Sequence, residues 1–554
     1  MLDRGLLARP VLRHWRDDGV TEVTGEALWA EAASLAEWIA THTPPGALVP
    51  VIGTTSPRLM ALFLGVALAG RLAAFLPPAA QRQDPDAFAR QQRATFEAID
   101  PAAIILADPE LAETLRRLDP VRAGRVLAPP EGLPAGDAAA ALATFRARLD
   151  DDRPLFVQHS SGTTGLRKGV AISGRMLAAQ YAAYWPGLRA DLGRDRLAIA
   201  SWLPLYHDMG LLACFLLPML GGDRVSVMDP VAWVQQPARF LTMIAQDRCE
   251  VAWMPNFAFR HHVRLARAMP PADLSSMRRW INCSEPCRLA DALAFEAVFA
   301  ARGVAPRSVV GCYAMAETVF AVSQGRPATR RGLLVPANLA PGAGVLAAGA
   351  RLVETDVAPP EGWKLVMSSG TPLPGVVVRV LAGDTPLPDG AYGEIALQAP
   401  FLFALYRGAT TPARDADGGF RTGDLGCLLD GEIFVFGRLK EIIIVNGRNL
   451  FAGDLEAALG DLPGLKRGRA VAFGIDSAAT GTEELVLVAE AEDGAADPAA
   501  LAALISRTIA DRFLVQPRDV QVVPAPWLVK SSSGKISRDA NRARYLEQFR
   551  GDPP

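Results

Sequence analysis

Apolar positions along the first 150 residues follow two alternating patterns. The stretch "GEALWAEAASLAEWIATH" repeats them at helical spacing. "ALVPVIGT" is a short continuous apolar run of the kind a buried strand shows, and "PRLMALFLGVALAGR" reads as a helix packed on it. "PAAIILAD" is another strand. The alternation continues with "RLAIASWLPL", "RVSVMD", "CEVAWMP" and "RSVVGCY". Strands alternating with helices predict a mostly parallel α/β sheet. In such sheets ligands sit beyond the carboxyl ends of the strands. Residues that follow these runs are therefore the first candidates for chemistry.

From about residue 326 to 365 the pattern loosens into a Gly-, Pro- and Ala-rich stretch, either an inserted subdomain or a long surface excursion. "GVVVRVLAG", "YGEIALQA" and "GEIFVFGR" then predict a smaller β unit. "EIIIVNGRNL" opens a C-terminal α/β segment, with "RAVAFGID" and "ELVLVAEAE" as strands and "DPAALAALISRTIADRFL" as a helix. The expected fold is α/β, with a large N-terminal part of α/β subdomains plus the small β unit, and a small C-terminal α/β domain.

The length, 554 residues, suits several domain-sized units rather than one core. Half the residues are hydrophobic and the net charge is -2, so no basic footprint for nucleic acid exists. The longest strongly apolar run, "MGLLACFLLPML" at 209–220, is shorter than the roughly 20 residues a membrane span needs. It reads as a buried helix. The N-terminal "MLDRGLLARPVLRHW" lacks the apolar core of a signal peptide, so cytoplasmic residence without a membrane span is expected. Six scattered cysteines form no metal-ligand pattern and read as buried free thiols.

Residues 159–170, "HSSGTTGLRKGV", crowd glycines, hydroxyls and two cations together. Glycines let backbone N–H groups approach a phosphate, and Arg167 and Lys168 add charge. The spacing does not fit the G-x-x-x-x-G-K-[ST] loop, because Lys168 is followed by Gly169. Alone, such a cluster reads equally as a polar surface turn. Further along come "WLPLYHDMG" at 202–210, "CYAMAET" at 312–318, "RTGDLG" at 421–426, "GRLKEIIIVNGRN" at 437–449 and "VKSSSGKISR" around Lys535.

In this order and spacing the motifs resemble the adenylate-forming superfamily, over about residues 25 to 545. Within it the chain is most similar to the fatty acyl-AMP ligases, through "LPLYHDMGLL", "MDPVAWVQQPARFL", "PNFAF", "NCSEP" and "YAMAE". Acyl-CoA synthetases usually carry Thr where this chain has Ala316. The loose 326–365 stretch falls where that subfamily carries an insertion associated with poor use of CoA. The resemblance implies an N-terminal adenylation domain over 1–438 and a mobile C-terminal domain over 439–554.

It also implies roles. Ser161, Gly162, Thr163, Thr164 and Lys168 would hold the β- and γ-phosphates of ATP, with Arg167 standing where the family usually has Pro. Glu317 would be the Mg²⁺ ligand. Tyr313 would stack on adenine, with Ser284, Glu285 and Pro286 lining its other face and Ala314 standing beside the nucleotide where Gly is usual. Asp424 and Arg438 would meet the ribose. His207 would meet the substrate carboxylate, Lys535 would bridge that carboxylate and the α-phosphate, and Lys440 falls at the hinge between domain poses. The implied reaction converts a fatty acid and ATP to acyl-adenylate, then passes the acyl group to the phosphopantetheine thiol of an acyl carrier protein. An acyl-CoA synthetase, an amino-acid adenylation domain and a nucleotide-binding relative without catalysis are the alternatives. The last would lack Glu317, Asp424 or Lys535, and all three are present.

Overall fold

The computed structural model describes residues 4–78, 92–93, 95–159, 169–285, 287–327, 330–336, 344–346, 350–354, 359–360, 362–409, 413–415, 417–445, 448–460, 462–477, 482–494, 497–530 and 535–549. Each apolar run read as a strand is one. Leu48–Ile52, Leu72–Leu76, Ile104–Leu106 and Pro154–His159 belong to a six-stranded sheet, closed at one edge by the antiparallel Gly169–Ser173. The helix Gly25–His42 begins where the Thr24 hydroxyl accepts the Ala27 N–H. The helix Pro57–Leu68 begins the same way at Ser56, with Pro57 in the first turn. The two helices share one apolar core with the strands Leu48–Ile52 and Leu72–Leu76.

The second sheet carries the motifs "WLPLYHDMG", "PNFAF", "NCSEP" and "CYAMAET". Its nine strands run in the order Thr371–Pro372, Ala321–Gln324, Val309–Ala314, Arg279–Asn282, Val251–Met254, Ala198–Ser201, Arg224–Met228, Pro10–Arg16 and Gly19–Thr24. The six from Val309–Ala314 to Pro10–Arg16 are mutually parallel. Their carboxyl ends therefore open on one edge.

The apolar run at 209–220 is helical and buried, but its first part, Met209–Leu216, is wound in wide π turns, with the Leu217 N–H reaching back to Leu212 O. Gly210 has a steric reason: a Cβ there would lie 2.2 Å from Pro204 O. Such widened turns are often found at functional sites.

The small β unit is an antiparallel sheet of Thr385–Pro386, Val377–Ala382, Ala391–Gln398, Phe420–Leu429 and Glu432–Arg438, with Gly344–Val345 paired to Ala391–Gln398. The loose 326–365 stretch holds more order than its composition suggests. Arg331–Pro336, Arg351–Glu354 and Trp363–Met367 form a three-stranded antiparallel sheet. Leu333 and Val335 pack it against Tyr392, Leu425, Phe434 and Phe436. Arg330, buried, ties this stretch to the large sheet through a 2.7 Å ion pair with buried Glu296.

The C-terminal segment has its own core. Leu465–Ser477, Thr482–Ala491 and Asp519–Val523 form one sheet, and Pro498–Phe513 covers one face through Leu501, Ile505 and Ile509. Arg538–Phe549 packs on the other face through Tyr545. No described helix is long and apolar enough to cross a membrane, and all six cysteines are free thiols.

Candidate active site

Four of the parallel strands deliver site residues at their carboxyl ends. Ala198–Ser201 leads to His207, Val251–Met254 to Asn256, and Arg279–Asn282 to Ser284 and Glu285. Val309–Ala314 ends in Tyr313 and Ala314, and Glu317 lies three residues beyond. The loop 160–168, with Ser161, Gly162, Thr163, Thr164 and Lys168, lies outside the described residues, as does Pro286. It follows the strand Pro154–His159.

On one side of the site, Tyr313 Oη donates to Asp424 Oδ2 at 2.6 Å. The other oxygen, Oδ1, accepts Arg438 Nε at 3.0 Å. Asp424 and Arg438 are directly opposed on neighbouring antiparallel strands, so the sheet register sets their meeting. The "TGD" stretch is not an isolated turn. It is a bulged part of the strand Phe420–Leu429, and Gly423 takes the φ of 71° needed there. Burial pushes the Asp424 carboxyl up, and Arg438 and Tyr313 only partly offset this, so it lies above the ordinary range. Burial and the neighbouring Asp424 carboxylate also push the Tyr313 hydroxyl well up.

On the other side, His207 Nδ1 contacts Asp208 Oδ1, and the Asp208 carboxylate also accepts the Met209 N–H at 2.8 Å. Met209 Sδ lies 3.8 Å from Ser284 Oγ. Ser284 is in the left-handed region at φ 70°, and its carbonyl accepts Lys535 Nζ at 2.5 Å. Burial pushes the Asp208 carboxyl up, but His207, the Met209 N–H and the Lys535 ammonium outweigh it and hold it below the ordinary range. A C-terminal lysine is thus brought to Ser284, near enough to Asp208 to act on its charge. Glu285 Oε2 accepts the Phe257 N–H at 3.0 Å.

Glu317 sits in the connection between antiparallel strands Val309–Ala314 and Ala321–Gln324. Its Oε1 accepts Tyr406 Oη at 2.8 Å, and its carbonyl accepts the Phe403 N–H at 2.9 Å. Two residues on, Val319 has φ 62° and ψ -55°, and the Phe320 N–H bonds Thr318 O at 2.6 Å. This is a γ-turn of the rare, strained hand. For a β-branched residue it is a true outlier, with a cost on the order of 1–3 kcal/mol. Arg438 and Glu317 feel each other's charge, as do Tyr406 and Arg438. The Asp424–Arg438 and Glu317–Tyr406 pairs are therefore neighbours in one site.

One residue of this site carries no motif in the sequence. Tyr406 sits in "FALYRGATTP", without a periodic signal, 89 residues from its partner. Asn256 accepts from both Asn282 Nδ2 at 2.8 Å and the Arg288 N–H at 3.0 Å, and so ties Asn282 to Arg288. It lies in the "PNFAF" motif, but nothing in the sequence shows these two partners.

Joining a carboxylate to a nucleotide phosphate needs a cation that two anions can share, placed where nucleotide and acid meet. Lys535, whose Nζ meets Ser284 O and acts on the Asp208 charge, is the candidate for it. The fold and this arrangement define an ATP-dependent ligase that adenylates an acyl substrate. Residues 7–407 match the model of the AMP-binding enzyme family, and the chain belongs to that family. It is 29% identical over 590 residues to the long-chain-fatty-acid–AMP ligase FadD32 of Mycolicibacterium smegmatis, covering 96% of this chain and 90% of that protein. It is 30% identical over 419 residues to the medium-chain-fatty-acid–acyl-carrier-protein ligase JamA of Moorena producens, covering 72% and 69%. Among solved structures, a chain from studies of fatty acyl-adenylate ligases of E. coli and L. pneumophila matches with a TM-score of 0.80 at 23% identity. It covers 100% of this chain and 98% of its own length, a likeness of fold.

Proposed function

We propose that the protein is a fatty acyl-AMP ligase that passes its acyl group to the phosphopantetheine thiol of an acyl carrier protein. The observation that carries this reading is Lys535 bonded to Ser284 O beside the His207–Asp208 pair. FadD32 and JamA, named for fatty acids as substrates, support the acid, and JamA supports the carrier. Ala316, in the place where CoA-using relatives usually have Thr, supports the choice of acceptor.

In the first half-reaction a carboxylate oxygen attacks the α-phosphorus. The bond to the bridging oxygen breaks, and pyrophosphate leaves with the electron pair. The carboxylate is already a nucleophile, so no base is needed. The work is positioning and charge stabilisation. Lys535 would lie between the carboxylate and the α-phosphate, a compact cation on a flexible stem. His207 would orient the carboxylate. Tyr313, Ser284, Glu285 and Pro286 would face adenine beside Ala314, and Asp424 and Arg438 would take the ribose hydroxyls. Ser161, Gly162, Thr163, Thr164 and Lys168 would hold the departing phosphates.

Among the described residues no group of three His, Cys, Asp or Glu side chains is disposed to hold a metal. Mg²⁺ in nucleotide sites needs only one or two carboxylates plus substrate phosphates. Glu317, at the end of the strand that carries Tyr313, fits that requirement. A bound Mg²⁺ would neutralise phosphate charge.

In the second half-reaction the thiol sulfur attacks the acyl carbonyl carbon. AMP leaves with the C–O electron pair and the thiol proton passes to solvent. We place the adenylation domain at 1–438, with its insertion at about 326–365, and a mobile domain at 439–554 hinged near Lys440. The test supplies ATP, Mg²⁺, mixed fatty acids, CoA and a holo acyl carrier protein together, with products read by mass spectrometry. Acyl-carrier product without acyl-CoA is expected. Abundant acyl-CoA would overturn the choice of acceptor and make the protein an acyl-CoA synthetase.

A further inference from the structure

The strained turn at Val319 is gripped by two buried glutamines from separate elements. Gln158, on the strand that leads into the 160–168 loop, donates Nε2 to Val319 O at 2.8 Å. Gln180, on the helix Gly174–Leu192, accepts the Phe320 N–H at Oε1, 3.2 Å away. Gln158 is 5% exposed and Gln180 fully buried. Each spends one half of its amide on the turn. The other halves, Gln158 Oε1 and Gln180 Nε2, have no hydrogen-bond partner among the described residues.

Burying an amide half-satisfied is unfavourable, and so is holding a valine at φ 62°. Both penalties converge on one three-residue turn. Packing alone would be better served by leucines at 158 and 180 and a glycine at 319. Strain of this kind persists where the surroundings over-determine it, and it clusters at functional sites. What this turn determines is the path of the chain just after Glu317.

We propose that Gln158 and Gln180 are positioning residues. They clamp the Val319 turn and so fix the Glu317 carboxylate relative to the strand that feeds the 160–168 loop. The clamp rests on the reading of Glu317 as the Mg²⁺ ligand. It sets the carboxylate in place before metal and nucleotide arrive.

The test is calorimetric titration of ATP into the full-length protein without fatty acid, once with Mg²⁺ and once with EDTA. The wild type should bind ATP more tightly with Mg²⁺, and Glu317→Gln should abolish that gain. Gln158→Leu should reduce the gain about fivefold, the scale of one lost hydrogen bond, and leave metal-free ATP binding unchanged. Adding Val319→Gly should restore the gain, because glycine holds a positive φ without the clamp. General destabilisation would alter both titrations and would not be rescued by glycine. Should Gln158→Leu fail to fold, Gln180→Leu is read in the same way. An undiminished gain in the leucine variants, or a loss that Val319→Gly does not restore, would overturn the clamp. No metal-dependent gain in the wild type would instead overturn the reading of Glu317.

Discussion

Lys535 Nζ donates to Ser284 O at 2.5 Å across 251 residues of chain, from the C-terminal segment to just past the end of a parallel strand. The same ammonium helps to hold the Asp208 carboxyl below its ordinary range. On the proposed reading, this is where an incoming carboxylate is stabilised. Lys535→Ala is expected to slow adenylate formation about 10²–10³-fold, as for loss of one preorganised donor, with ATP affinity unchanged. Pyrophosphate exchange and ATP titration measure the two separately.

Asp424 yields a prediction in which stability and function diverge. Its carboxyl lies above the ordinary range because burial outweighs Arg438 and Tyr313. As pH rises through the ordinary carboxylate range, the unfolded chain releases this proton before the folded chain does, so folding loses stability from this group. Asp424→Asn should therefore melt no lower than wild type at pH 7, and any advantage should vanish at pH values below the ordinary carboxylate range. The same change removes the charged acceptor proposed for the ribose, and the KM for ATP should rise about tenfold or more. A KM unchanged by the substitution would remove Asp424 from the nucleotide site.

Tyr406 holds Glu317 through a single hydroxyl contact. Tyr406→Phe keeps the ring and removes the donor. It should weaken Mg²⁺-dependent activity by about 1 kcal/mol, roughly fivefold, with no change in fold by circular dichroism. Equal Mg²⁺ dependence in variant and wild type would separate Tyr406 from the metal.

Glu296 and Arg330 form a buried pair that anchors the 326–365 stretch, and Glu296 Oε1 also accepts the Val309 N–H. Removing one partner leaves a buried charge. Arg330→Ala should destabilise by about 3–5 kcal/mol, seen in chemical denaturation, whereas Arg331→Ala, whose 3.5 Å partner Asp430 is exposed, should change little.

Lys364 links the three-stranded sheet to the C-terminal segment. Its Nζ lies 2.5 Å from Asp454 Oδ2 and 4.9 Å from the centre of the Phe451 ring. Lys364→Ala should speed amide exchange in the helix Ala452–Ala458 while leaving exchange in the strand Val309–Ala314 unchanged. Equal protection in both variants would show that the contact does not hold this segment.

What was legible in the sequence depended on distance along the chain. Periodicity located the strands because each is a local apolar run, and "YAMAE" singled out Tyr313 and Glu317 as candidates because they share one short motif. Sheet order was not legible, since it rests on pairings between remote segments. Tyr406 and Gln158 were missed for the same reason: their partners, Glu317 and Val319, are far away in sequence. The Gly, Pro and Ala content of 326–365 hid its strands, because "RGLLVP" carries too few apolar positions to show a period. The wide turns of Met209–Leu216 were also hidden, because a uniformly apolar run fits any buried helix.

The central claim is that a fatty carboxylate is activated at this site by ATP. Fatty-acid-dependent exchange of labelled pyrophosphate into ATP tests it most directly, because the exchange requires reversible formation of the acyl-adenylate. Medium- or long-chain fatty acids are expected to drive exchange in the wild type and not in Lys535→Ala. Exchange driven by amino acids and not by any fatty acid would contradict the account.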